Sequence, residues 1–361
     1  MGTITTAGTL FNSELVSDVF KKVKGHSTLA KLCGAMPITF AGVDSFIFTM
    51  DGEASIVGEG ANKPAGNAEY KSITIKPVKV VYQHRISDEF INLAEEKQVP
   101  YLENFTDGFS KKIARAVDIM AFHGVNPATN AASGIIGTNC FDSAITEAVP
   151  FAYSTPDDVI DTAVSKITDD GTVTGIAMSP AFASALGSMK TASEHVSMYP
   201  EFRFGANPAN FGSLASDVNT TVNFGNNGDM AIVGDFANAF KWGYAENIPM
   251  EIIQFGDPDG QGDLKRTNQI VLRAEAYVGW GILDPFSFCR IVNGNGTTTE
   301  TFIGDGTTTE FTVSHTVASE VSVTVNGTAV TSGVTRSGKK YTFTAAPSAG
   351  DIIRITYTYA S

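Results

Sequence analysis

Val57-Gly58-Glu59-Gly60-Ala61-Asn62-Lys63-Pro64 is a loose, glycine-bearing stretch set between two runs that alternate as strands do. Phe46 and Phe48 precede it, and Ile73, Ile75, Val78 and Val80 follow it. The pattern predicts a long two-stranded hairpin with its tip between Gly52 and Asn67. With about 20 residues in each arm at about 3.3 Å per residue, such a hairpin reaches roughly 65 Å. A domain of about 150 residues has a radius of gyration of only about 15 Å. An arm of that length cannot pack wholly on its own domain and is expected to meet a neighbouring molecule.

The flanking segments read as helices. Upstream, Leu15, Val16, Val19, Phe20 and Val23 share one face of a helix from about Ser13 to Lys24. Downstream, Ser87 can cap a short helix through Ile91, with Asp88 and Glu89 in its first turn. Pro100 then opens the longest helical periodicity in the chain: Leu102, Phe105, Phe109, Ile113, Val117 and Met120. Lys111, Lys112 and Arg115 take the opposite side, and Gly124 and Pro127 close a helix of about 36 Å.

Residues 155–283 mix helix and strand. Thr155-Pro156-Asp157-Asp158 starts a helix whose apolar face is Val159, Ile160, Ala163, Val164 and Ile167. Ser179-Pro180 starts another. Ala231–Val233 and Glu251–Phe255 read as strands, Asp235 as the cap of a helix through Phe240, and Gln269–Ile282 as a long alternating strand. Asn293-Gly294-Asn295-Gly296 with Thr297-Thr298-Thr299 reads as a linker. Beyond it, strand runs at Glu310–Ser314, Glu320–Val325, Tyr341–Thr344 and Asp351–Tyr359, with turns between, predict a small β-sandwich.

Composition narrows the function. With 361 residues, 43% of them apolar and 17% charged, the chain can build about two cored domains rather than remain disordered. Its 38 acids against 25 bases give a net charge of −13, which disfavours coating nucleic acid. No run of 18 apolar residues is present, so no helix is expected in a membrane. Cys33, Cys140 and Cys289 are too few and too far apart for a disulfide framework or a zinc knuckle.

Catalytic and cofactor motifs are missing. His26, His84, His123, His195 and His315 are scattered, and Gly333–Lys339 approaches a P-loop but is followed by Lys340 between two strands. Asp257, Asp259 and Asp263 cluster with glycines as a calcium loop would, yet the twelfth position is Asn268, which makes a plain acidic turn the simpler reading. No catalytic residue and no cofactor is expected.

In their order and spacing, these segments resemble tailed-bacteriophage major capsid proteins of the Hong Kong 97-type α+β fold. The hairpin Val57–Pro64 with Ile73–Lys79, then Ile86-Ser87-Asp88-Glu89-Phe90, is similar to that family's extended loop and the segment after it. The long helix ending Asp118-Ile119-Met120-Ala121-Phe122-His123-Gly124 resembles its spine helix. Met178-Ser179-Pro180 and Val233-Gly234-Asp235-Phe236 resemble axial-domain segments, and Gln269–Phe286 the strand that returns to the peripheral domain. The resemblance spans about residues 10–292, and the C-terminal piece resembles Ig-like β modules of phage virions.

The resemblance implies an N-terminal arm (1–32), an extended loop (33–86), spine helix and peripheral domain (87–154), an axial domain (155–268), a return strand and linker (269–296) and an Ig-like module (297–361). It implies a shell of hexamers and pentamers around double-stranded DNA in a virion, assembled in the host cytoplasm. Portal and cement or decoration proteins are implied partners. Glu53, Glu59, Asn62, Lys63, Glu69 and Lys71 of the loop would contact neighbouring subunits. Lys63 is the candidate for a covalent crosslink, although an ordinary lysine on an exposed tip is the simpler reading. The first apolar helix begins too early for an N-terminal scaffolding domain, which implies a separate scaffolding protein or none. The alternatives are an encapsulin-type compartment shell, an adhesin using the aromatics of the C-terminal module, or an enzyme with an unrecognised site in 155–283.

Overall fold

The computed structural model describes residues 26–51, 56–57, 59, 67–92, 95–168, 172–191, 193–226, 228–244, 250–294 and 296–359. Its helices are α1 (Thr28–Leu32), α2 (Glu95–His123), α3 (Phe141–Ala144), α4 (Pro156–Thr168) and α5 (Pro180–Ser188). The strands begin with β1 (Ala35–Pro37), β2 (Val43–Asp51), β3 (Asn67–Ile75), β4 (Val78–Ser87), β5 (Ala148–Pro150) and β6 (Gly175–Met178). Next come β7 (Asn210–Phe211), β8 (Leu214–Val218), β9 (Asp229–Gly234), β10 (Phe240–Tyr244), β11 (Met250–Ile253) and β12 (Gln269–Ile282). After them come β13 (Phe288–Val292), β14 (Gly296–Ile303), β15 (Glu310–Thr312) and β16 (Val317–Val325). The last are β17 (Thr328–Ala329), β18 (Val334–Ser337), β19 (Lys340–Phe343) and β20 (Ile352–Tyr359). The helix expected at Ser13–Lys24 lies outside the described residues.

The fold is mixed α/β and divides into two compact units. The first holds residues 34–113 and 240–283 and is organised on β12. That strand pairs antiparallel with β4 along one edge and with β11 and β10 along the other. β1 extends the sheet parallel to β10. Two expectations are corrected here. Residues 240–268, expected with 155–239, group instead with β12 because β10 and β11 are its hydrogen-bonded neighbours. The helix expected from Asp235 to Phe240 is a turn, in which Asp235 Oδ1 accepts from the Asn238 amide at 3.1 Å. Phe240 and Trp242, both buried, then alternate inward as β10.

Two further boundaries move. The run from Ile73 to Val80 is not one strand, because the Lys76-Pro77 step separates β3 from β4 and proline has no amide for a ladder. Helix α2 starts at Glu95 rather than Pro100. Its proline forgoes only one amide bond near the start, so the helix runs 29 residues, about 43 Å. Its end is as expected: the Gly124 amide donates to Met120 O at 2.9 Å, with φ of +66°, which glycine tolerates best.

The second unit holds residues 24–33, 114–239 and 284–361. Residues 114–154, expected with the first half of the long helix, fall in this unit. Its main sheet runs β17-β16-β20-β14-β5-β13-β9-β6-β8-β7. Val159, Ile160, Ala163 and Ile167 of α4 and Phe182 and Leu186 of α5 share one core with Ile176, Met178, Val233 and Ile291 of the sheet. Phe141 packs edge-on against Phe122 and Phe288, at 5.4 and 5.1 Å between ring centroids. Such aromatic pairs add about 1 kcal/mol each beyond the area they bury.

The C-terminal segment is a two-sheet sandwich. The sheet β15-β19-β18 and the strands β14, β20 and β16 share a core of Phe311, Val323, Tyr341, Phe343, Ile353, Ile355, Tyr357 and Tyr359. The module's aromatics therefore serve as its core. The expected linker is corrected in part: Thr297-Thr298-Thr299 lies within β14, pairing with β20 and, at Thr297, with Ala148 of β5. Threonine suits a strand, and both edges of this run have partners to take.

A Cβ on Gly243 would overlap the Met36 carbonyl where β1 meets β10. Gly243→Ala is therefore expected to lower the melting temperature by about 5 °C or more. Gly108→Ala, at an exposed position of α2 with open space around it, should instead raise stability by about 1 kcal/mol. Thermal unfolding of the purified subunit checks both, and equal shifts would contradict this packing.

Candidate functional site

The predicted hairpin is real but shorter in its paired part. β2 and β3 pair from Val43↔Ile75 to Asp51↔Asn67 and form a separate two-stranded sheet. Nine residues per strand span about 30 Å. The root is fixed: Ile75 is fully buried, and a Cβ at Gly279 or Gly281 of β12 would crowd Lys76 O or Ile75. Farther along, Phe46 is 60% exposed. An isolated two-stranded ribbon is marginally stable in water, so this one is suited to a surface supplied from elsewhere.

Of the loop residues expected at contacts, Glu69 and Lys71 stand on β3 opposite Thr49 and Ile47. Glu59 lies in an exposed turn. Glu53, Asn62 and Lys63 lie outside the described residues.

The acidic loop is organised around a guanidinium. Arg85 Nε donates to Asp259 Oδ2 at 2.8 Å, and Arg85 Nη2 donates to Asp257 Oδ1 at 3.2 Å and Gly262 O at 2.8 Å. The Arg85 hydrogen bond holds the Asp259 carboxyl down to about 2. Asp263 turns to other work, as its Oδ1 accepts from the amides of Lys265 and Arg266 at 3.0 and 3.2 Å. Asp257, Asp259 and Asp263 thus do not converge as a calcium loop requires; Arg85, from β4, supplies the cationic partner to the first two.

The second unit carries two buried polar pins that the sequence did not disclose. Asp118, on α2, is fully buried. Its carboxylate accepts from the Thr28 and Leu29 amides at 2.9 and 3.2 Å, from Ser27 Oγ at 2.5 Å and from Thr221 Oγ1 at 3.0 Å. It therefore serves as an external cap on α1. Burial lifts its pKa to about 6 despite these four donors. Lys31 and Thr28 reach a second carboxylate, Asp217, at 2.7 Å each.

The other pin joins four elements. His123 Nδ1 lies 2.9 Å from Asp142 Oδ2, and its Nε2 lies 2.8 Å from Thr221 O. Arg290 donates from Nη2 to Asp229 Oδ1 at 2.7 Å and from Nη1 to Asp142 O at 3.1 Å. Burial pushes the Asp229 carboxyl up even beside Arg290. Burial works against Asp142 too, but bonding to His123 and Asp229, with the Arg290 charge, holds it low. One histidine and two carboxylates lie close enough to face a metal. Arg290 already supplies the positive charge there, so the arrangement fits a structural network linking α2, α3, β9 and β13.

A third junction fastens the C-terminal module. Glu147 Oε1 accepts from the Thr299 amide at 2.8 Å, and its Oε2 accepts from Lys166 Nζ at 3.1 Å and Thr298 Oγ1 at 3.0 Å. Tyr359 donates its hydroxyl to Ala148 O at 3.2 Å.

A family model described as the phage capsid family matches residues 7–293. Among solved structures, one from Mycobacterium phage Ogopogo is similar at 32% identity and a TM-score of 0.63, covering 74% of this chain and 92% of that one. One from Gordonia phage Cozz has 24% identity and a TM-score of 0.60, covering 75% and 85%. The capsid of an empty GTA particle shares the fold at 15% identity and a TM-score of 0.50, covering 74% and 89%. No curated protein sequence matches.

Asp118 sets a pH dependence. Its carboxyl titrates at about 6 when folded against an ordinary 3.8, so the folded chain holds this proton more tightly than the unfolded chain. The resulting stabilisation is full below about pH 4 and is lost as the pH rises to about 6. Asp118→Asn should flatten the stability profile between about pH 4 and 6, and cost about 2 kcal/mol at neutral pH because an amide cannot accept all four donors. Urea unfolding at several pH values reads this out, and an unchanged slope would acquit Asp118.

Proposed function

The chain belongs to the phage capsid family and is a major capsid protein that forms a phage shell, and on that premise we propose how its parts serve assembly. The observation that carries the proposal is the two-stranded β2–β3 ribbon, rooted on β12 and joined by no third strand among the described residues. In a shell, the missing surface is another copy of the same chain.

The hairpin is the extended loop of a Hong Kong 97-type subunit, and α2 is the spine helix. The sheet on β12 belongs to the peripheral part, and the α4–α5 layer with its sheet belongs to the axial part. The C-terminal sandwich is an Ig-like module of the kind that decorates virions. Glu59, Glu69 and Lys71, with Glu53, Asn62 and Lys63, meet neighbouring subunits along the loop. Hexamers and pentamers close an icosahedral shell around DNA, with a portal, a separate scaffolding protein and a cement or decoration protein as partners. Assembly takes place in the host cytoplasm, and the role is structural rather than enzymatic. The net charge of −13 supports it, because an acidic wall does not trap the genome non-specifically.

Negative-stain microscopy and light scattering on the purified chain test this reading. Closed shells of several hundred ångströms, or rings of five and six subunits, are the expected outcome. Replacing residues 52–66 by a two-residue turn should leave subunit melting within about 3 °C of wild type and prevent shell closure. A wild-type chain that stays monomeric or dimeric under crowding and with co-expressed phage proteins would overturn it.

A further inference from the structure

Four Asn-Gly steps occur in the chain, at Asn227, Asn293, Asn295 and Asn326. Two of them, Asn293-Gly294 and Asn326-Gly327, fall whole within the described residues. At such a step the next residue's backbone nitrogen can attack the asparagine carboxamide, because glycine has no Cβ to shield it. The hold that the fold keeps on each side chain decides whether the attack proceeds.

The two steps are held very differently. Asn326 stands in the turn between β16 and β17, with φ of 51°, and Gly327 follows with φ of 77°. Its Nδ2 donates to Asp351 Oδ1 at 2.8 Å, and its Oδ1 accepts from the Ile352 amide at 2.9 Å. Both ends of that carboxamide are therefore pinned at the start of β20. Asn293 is exposed in the bend between β13 and β14. Its backbone amide donates to Gly228 O at 2.6 Å, which fixes the main chain only. Among the described residues, neither its carboxamide nor the Gly294 amide nitrogen has a hydrogen-bond partner. Gly294 has φ of +149°, which glycine takes far more readily than any other residue. The bend thus requires its glycine, and that glycine leaves the nitrogen open to react.

We propose that Asn293 is a site of spontaneous covalent modification, deamidating in the folded chain while Asn326 is protected. The Gly294 nitrogen forms a bond to Asn293 Cγ, and the Cγ–Nδ2 bond breaks. The side-chain nitrogen leaves as ammonia, taking up the proton that the Gly294 amide gives away, and a five-membered succinimide remains. Water then opens the ring at one carbonyl or the other, which yields aspartate or isoaspartate. Either product adds one negative charge, and isoaspartate also lengthens the main chain by one methylene. The strands on both sides are held in ladders, β13 by β5 and β9 and β14 by β20, so the bend absorbs that change. Residue 293 is also where the match to the capsid family ends, so the new charge marks the entrance to the C-terminal sandwich. In a many-copy particle each subunit converts independently, and a particle population acquires a spread of charge with age.

The test uses the full chain, incubated in mildly alkaline buffer, once folded and once in urea. Tandem mass spectrometry of its peptides reads conversion as a gain of about 1 Da, as NH2 becomes OH, and fragment ions separate Asn293 from Asn295. In the folded chain Asn293 should convert at least about tenfold faster than Asn326, which must first give up two hydrogen bonds. In urea the two should convert at similar rates. An isoaspartyl-specific methyltransferase should label the aged folded chain at residue 293, and Asn293→Gln should carry no label there. Equal rates at the two sites in the folded chain would overturn the proposal. So would an Asn293 that converts in urea yet stays intact when folded. A preference for Asn293 that persists undiminished in urea would assign the difference to local sequence and overturn the protective role of the fold. None of these outcomes bears on the shell reading.

Discussion

A central strand must satisfy backbone donors and acceptors on both of its edges, and in the first unit that requirement falls on the fourteen residues of β12. β4 covers one edge, while β11 and β10 divide the other. Everything else in the unit takes its position from these ladders. β1 reaches the sheet only through β10, where a glycine allows the two backbones to come close. The hairpin leaves the sheet at Lys76-Pro77, beside the glycines of β12 that receive Ile75. The two-stranded ribbon, joined by no third strand among the described residues, is therefore mounted on the most fully paired strand of its unit.

The second unit solves a different problem. The first turn of α1 and the end of α2 join the rest of the unit through buried polar contacts as well as apolar ones such as Phe122 on Phe141. Carboxylates supply the polar ones: Asp118 and Asp217 for α1, Asp142 and Asp229 for the end of α2. Burying such groups costs free energy unless every donor is well placed, and they fix one geometry where apolar contacts would tolerate several. A subunit that must present the same surfaces in every copy gains from that intolerance.

Much of this fold was legible in the sequence where a local rule decides the outcome. The alternation of Gln269–Ile282, the proline and acids at 156–158, the Ser179-Pro180 cap and Gly124 each state their structure within a few residues. The family match to residues 7–293 ends where the composition changes to Thr, Val and Gly. What stayed hidden depends on partners remote in sequence. Ser27 lies 91 residues from Asp118, and Arg290 lies 61 from Asp229. Asp118 reads as one polar residue on a helix, and nothing in the periodicity marks it as buried. The Thr297–Thr299 run reads as a linker because its other partner, β5, is a three-residue strand with no signal of its own.

The junction at Glu147 and β14 changes what the C-terminal sandwich is able to do. A domain on a floppy tether sweeps a cone, and whatever grips it must first freeze that motion. Here one sheet passes from β5 through β14 into the sandwich, with a buried tyrosine hydroxyl and a shared carboxylate at the seam. A peptide grafted into the Asn326-Gly327 turn would point in one direction relative to its own subunit's sheet. On a many-copy particle, the spacing between such grafts would then be a property of the lattice rather than of a linker. Multivalent ligands built to that spacing would gain avidity in a single geometric step.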